Sequence, residues 1–166
     1  MSKVKTTAFL GMSVALSLIL SYVETLLPPI SAAVPGIKIG LANIVIVFLL
    51  YRFGLLKALC VSLIRVVLSA ILFTGFTAFL YSLAGALFSI GIMSLLRKTG
   101  VFSEIGVSVA GGIFHNLGQI LMVIVLTETL SVGYYMAVLT VSGTISGIIV
   151  GAAGALLINK TKHLNI

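Results

Sequence analysis

The chain has one cysteine, three prolines, three glutamates and no aspartate. A lone Cys60 forbids an internal disulfide. Without aspartate there is no carboxylate cluster with which a hard divalent cation is held against a diphosphate, because Glu24, Glu104 and Glu128 are scattered along the chain. His115 has no Cys, His or acid partner at zinc-ligand spacing, and His163 lies in the basic tail. No Ser–His–acid arrangement is legible, no Gly-rich loop running into Lys and Ser/Thr cradles a nucleotide, and no acidic ring marks a pore. These absences predict a protein that is not an enzyme, with no catalytic residue, no metal site and no cofactor.

What is abundant is apolar. Of 166 residues, 60% are hydrophobic and only 8% charged, with a mean hydropathy of +1.32. A water-soluble fold of this size has nowhere to hide that surface, so the composition predicts an integral membrane protein. The apolar runs approach 20 residues, matching helices that cross a bilayer core of about 30 Å. Ten-residue alternating strands of a barrel are not seen, and a helix bundle is the other way to satisfy backbone inside lipid. The predicted fold is all-α: a single six-helix transmembrane domain over 1–166, with helices at about 7–27, 39–53, 55–73, 77–96, 105–126 and 134–158. The first run is too long for a signal-peptide core and is expected to be retained. Nothing soluble is expected at either end. Cys60, inside an apolar run, is expected to be a small buried hydrophobe.

The pI of 9.9 and net charge of +7 are accounted for by topology. Six crossings put Lys3, Lys5, Arg52, Lys57, Arg97, Lys98, Lys160 and Lys162 on one side, eight of the ten basic residues. By the positive-inside rule that side is cytoplasmic and holds both termini. Nucleic acid is not an expected partner. Lys38 and Arg65 are the exceptions, one at the outer end of the second helix and one within the third.

A cation near the bilayer centre costs about 2.5–3.5 kcal/mol on insertion scales, so Arg65 needs a partner or a wet cavity. An ion pair with Glu24 is one solution. On the fifth helix His115, Asn116 and Gln119 share a stripe, and Asn43, Tyr81 and Ser82 fall in the same outer half of the bundle. Lys38, Asn43, Arg65, Tyr81, His115, Asn116 and Gln119 are therefore predicted to line an outward-facing pocket. Donors and positive charge would dominate it, which fits a ligand with an anionic or carbonyl-rich head. An apolar or aromatic body would lie against Phe73, Phe76, Phe79 or Tyr81, under a lid formed by the loop 28–38. The alternative is that these polar groups only bond neighbouring helices.

Small residues also recur. Gly143, Gly147, Gly151 and Ala155 are spaced by four on the sixth helix, and Ala8, Gly11 and Ala15 mark the first. Such ridges let helices approach closely, either within this bundle or on a separate subunit, and the first helix is the expected docking face.

Three stretches, PGIKIGLAN (Pro35–Asn43), YSLAGA (Tyr81–Ala86) and HNLGQ (His115–Gln119), resemble the bacterial Gx transporter family, often labelled heptaprenyl diphosphate synthase component I. The six-helix plan, with its lid-like first outer loop, is similar to the substrate-binding S-components of energy-coupling-factor (ECF) vitamin transporters. That resemblance implies capture of a small micronutrient at a bacterial plasma membrane by a multi-pass protein. It also implies partners, a transmembrane coupling subunit and a pair of ATPases, and a docking face with an Ala-xxx-Ala pattern. Here Ala8-xxx-Met12 and Gly11-xxx-Ala15 are the nearest equivalents. The synthase label implies instead a membrane accessory subunit of a prenyl diphosphate or quinone pathway. Catalysis by aspartate-bound Mg²⁺ is excluded for this chain.

Overall fold

The computed structural model describes residues 3–27 and 39–162. Among these, six α-helices follow one another: α1 (Lys3–Leu26), α2 (Ala42–Phe53), α3 (Leu55–Ser69), α4 (Gly75–Thr99), α5 (Glu104–Thr127) and α6 (Met136–Lys160). A π-helical turn at Ala70–Thr74 extends α3, a 3₁₀ turn at Leu130–Tyr135 leads into α6, and no strand occurs among the described residues. The loop expected to act as a lid, and Lys38 with it, lies outside the described residues.

Helix ends follow local chemistry. The Ser103 hydroxyl accepts from the Gly106 amide at 3.2 Å and starts α5. Gly100, in the left-handed region at φ 68°, stops α4 three residues later than the sequence predicts. Four stretches are long and apolar enough to cross a membrane: Lys3–Leu26, Leu55–Thr99, Glu104–Thr127 and Leu130–Lys160. The second contains both α3 and α4. Thr74 donates to the Ser69 carbonyl at 3.1 Å across a widened turn, and Gly75, at φ 80° and ψ 174°, then leaves the helical path.

The chain reverses there, as the contacts at the opposite end show. α3 starts directly after α2, and Arg97 near the end of α4 donates to the carbonyls of Leu50 and Tyr51 at the end of α2, the latter at 3.2 Å. Arg52 donates to the Thr161 carbonyl at 3.0 Å, bringing in the end of α6. Phe9 of α1 stacks on Phe53 with ring centroids 5.1 Å apart. The starts of α1 and α3 and the ends of α2, α4 and α6 thus share one end of the bundle. That end carries Arg52, Lys57, Arg97 and Lys160, the grouping expected from charge.

The centre belongs to α2. Ile46, Val47, Leu49 and Leu50 are at most 1% exposed, as a helix apolar on every side requires. At about 1.5 Å per residue α2 is only half a span long. Its start lies deep in the bundle, where Gly40 faces Val150 halfway along α6. Outward-facing Leu16, Ile19, Ile71, Phe76 and Val141 are more than half exposed, the apolar exterior expected of a lipid-facing surface. On α1 the pattern is inverted relative to a soluble helix: Ser13, Ser17 and Ser21 are the buried residues. The hydroxyls of Ser13 and Ser17 bond backward to the carbonyls of Phe9 and Val14, both at 2.9 Å, so neither leaves a polar group wanting.

α5 and α6 meet through glycine. A methyl group on Gly147 would lie 2.5 Å from Val109 Cα, and one on Gly151 would lie 2.8 Å from Ile105 Cα. This is packing within the bundle, one of the two roles the spacing allowed. Cys60 corrects its expectation: it is exposed. Ala58, Val61, Ser62, Val66 and Ser69 are the residues α3 turns inward, which leaves Cys60 on the outer face.

Candidate functional site

A cavity of about 80 Å³ opens around the start of α2. Asn43, Arg65, His115, Asn116 and Gln119, on three helices, all line it, so intramembrane polarity identifies residues that converge. Tyr81 does not line it, although its neighbour Ser82 does. Of the aromatic residues expected to hold a ligand body, Phe73 is at the wall, edge-on to Tyr22 with centroids 5.5 Å apart. Phe76 is 73% exposed and stacks on Phe79 instead.

The acid that the sequence leaves unused for a ligand is also here. Glu24 of α1 lines the cavity, and its Oε1 accepts the backbone amides of Gly40 and of Leu41, the latter at 3.0 Å. Gly40 has φ 78°, a conformation that glycine adopts without strain. The carboxylate therefore caps α2 from another helix. Arg65 Nη1 donates to the Ser21 hydroxyl at 3.2 Å, one turn before Glu24 on α1. Its Nε is buried without a hydrogen-bond partner. Among the described residues no ion pair joins Arg65 to Glu24, so the ion-pair solution is not the arrangement adopted.

The three polar residues of α5 do different things. Asn116 Nδ2 donates to the Leu139 carbonyl at 2.7 Å and to the Ser142 hydroxyl at 3.4 Å. Its amide thereby ties α5 to α6. His115 sits against Gly85 of α4, where a methyl group would lie 2.9 Å from both its ring and its carbonyl oxygen. Gln119 also reaches this contact, and neither its amide nor that of Asn43 bonds to another described residue. Those two amides line the cavity with hydrogen-bonding capacity to spare. Hydroxyls from five helices, among them Ser69, Ser89, Ser108 and Ser146, add to the wall. A lone serine in an apolar run carries little signal, and these were missed for that reason. Among the described residues no group of three His, Cys, Asp or Glu is placed to hold a metal.

On α1, Ala8, Gly11 and Ala15 all face outward, and nothing lies within 4 Å of the place a Gly11 side chain would occupy.

Long apolar helices around a polar interior cavity define an α-helical membrane protein with transmembrane helices. The chain belongs to the heptaprenyl diphosphate synthase component I family, whose model matches residues 13–157. No curated protein and no solved structure matches it.

Proposed function

We propose that this chain is the substrate-binding membrane subunit of an uptake system for a small organic micronutrient or cofactor precursor with an anionic head. One observation carries the reading: a cavity among lipid-facing helices, lined by an arginine and by the uncommitted amides of Asn43 and Gln119. Polar groups inside a bilayer are costly and tend to mark a ligand path. A space of about 80 Å³ is well below the roughly 300–1,000 Å³ of drug-sized sites. It fits the polar head of a ligand, and the body requires the space to widen toward Phe73.

In this reading the six-helix bundle lies in a bacterial plasma membrane, with α2 covering only part of the core, the basic end faces the cytoplasm, and the cavity opens outward. Asn43, Arg65, His115, Asn116 and Gln119 form the site as a group, with Asn116 acting through the α5–α6 seam. Coupling to energy comes from a transmembrane partner and an ATPase pair, docked on the outward Ala8–Gly11–Ala15 face of α1. The family description supports a second reading, a membrane accessory component beside a prenyl diphosphate synthase.

Native mass spectrometry of the gently solubilised protein from its own host tests this. A retained vitamin-like or cofactor-like mass, absent from Gln119→Leu, is the expected result. Gln119 bonds to no other described residue, so its replacement breaks no hydrogen bond among them, and a circular dichroism spectrum matching the parent's checks that the bundle holds. Reproducible absence of any ligand, with a soluble prenyl synthase attached, would overturn the uptake reading in favour of the accessory one.

A further inference from the structure

We infer that the backbone amides of Gly40 and Leu41 are an anion subsite that Glu24 fills as an internal stand-in. A carboxylate or phosphate group of the ligand takes its place and turns Glu24 onto Arg65. This rests on the reading of the cavity as a ligand site and names which atoms meet the anionic head.

The start of α2 presents backbone amides at the positive end of a helix dipole within the bundle, the arrangement by which half-helices hold anionic substrate groups inside membranes. Two of those amides converge on one carboxylate oxygen, Glu24 Oε1. Its second oxygen accepts nothing among the described residues. A carboxylate bound in this way has the chemistry of the ligand group expected in the same cavity.

The independent sign is Arg65. Its guanidinium lines the cavity, yet Nε is fully buried with no acceptor. A buried charged donor left unpaired is unfavourable, so this arrangement leaves a strong donor waiting for an oxygen. The oxygen is close. Ser21, which holds Arg65 Nη1, and Glu24 are three residues apart on one face of α1, so a rotamer change carries the carboxylate toward the guanidinium. With Glu24 on the amides, Arg65 Nε is unpaired. Once an external anion holds the amides, Glu24 is released to pair with Arg65. The ligand's charge thereby also releases Glu24 of α1 from the two residues that lead into α2.

Inorganic phosphate and acetate serve as probes, titrated into the full chain in detergent at neutral pH. A sample with ¹³C-carbonyl glycine and ¹⁵N-leucine reports on Leu41 directly, because Gly40–Leu41 and Gly54–Leu55 are the two Gly–Leu pairs in the sequence. The Leu41 amide signal is expected to shift and saturate while that of Leu55 stays still. Glu24→Ala removes the competitor and tightens binding by about tenfold, the order of one net hydrogen bond to a charged group. Glu24→Gln keeps a neutral acceptor at the amides and falls between Glu24→Ala and the unmodified chain. If Glu24→Ala does not fold, the Gln variant alone gives the comparison. Equal tightening in Gln and Ala variants, with Leu41 unmoved, would mean that only net charge matters and would overturn the subsite. Anion binding that leaves Leu41 unmoved overturns the subsite while the cavity reading survives. Failure of both probes to bind either variant also overturns it, and the uptake reading then stands or falls on the retained mass alone.

Discussion

Gly147→Ala sets two effects of opposite sign against each other, and the structure decides between them. Alanine is the better helix former, by about 1 kcal/mol in a helix interior. Against this, the new methyl would lie 2.5 Å from Val109 Cα, 2.9 Å from the Ser108 carbonyl oxygen and 3.0 Å from the Val109 nitrogen. All three are backbone atoms, so no side chain can swing away. To restore ordinary carbon contacts of about 3.5–4.0 Å, α5 and α6 must separate by roughly 1 Å along a seam that also contains Gly112, Gly143 and Gly151. Overpacking of this kind costs about 1–3 kcal/mol, and a clash with backbone alone belongs in the upper part of that range. The net expectation is a loss of about 1–2 kcal/mol, roughly a 5–30-fold shift toward the unfolded state. Reversible unfolding in mixed detergent micelles, followed by circular dichroism, measures it. Gly11→Ala is the internal control: nothing lies within 4 Å of that position, so helix propensity acts alone and stability rises by up to about 1 kcal/mol. If Gly147→Ala were as stable as the parent, or gained as much as Gly11→Ala, the close approach of α5 and α6 would be wrong.

Two further outcomes follow from the same contacts. Asn116→Leu removes both bonds from α5 to Leu139 and Ser142 and is expected to cost about 0.6–1.7 kcal/mol in the same unfolding assay; an unchanged midpoint would mean that the amide is not a tether. Gly11→Leu, on the outward face of α1, leaves the isolated protein within about 0.5 kcal/mol of the parent but is expected to abolish co-purification of a membrane partner from the native host. Undiminished recovery of the partner would move the docking face elsewhere.

Much of the architecture was legible because lipid imposes simple demands. Apolar run length gave the helices, and the basic residues gave a common end. Arg65, Asn43, His115 and Gln119 were grouped because a polar side chain among apolar residues has to find an interior. The same reasoning overreached at Tyr81, whose ring and hydroxyl let it sit elsewhere, and at Cys60, which packs as well against lipid as against protein. It missed the role of Glu24 for a different reason. That contact joins a side chain to two backbone amides across a separation of 16 or 17 residues, and backbone partners leave no trace in residue identity.

The half-length of α2 also bears on how the protein is made. A segment this short does not satisfy a core of about 30 Å by itself, and its first amides depend on a carboxylate from α1, which is synthesised earlier. Its other flank is covered by α6, where Val47 packs into the space left by Gly154. During translation the middle of the protein is therefore held on one side and uncovered on the other until the final helix arrives. Assembly ends at the centre, and a chain cut short before α6 leaves its most buried helix unfinished rather than its edge.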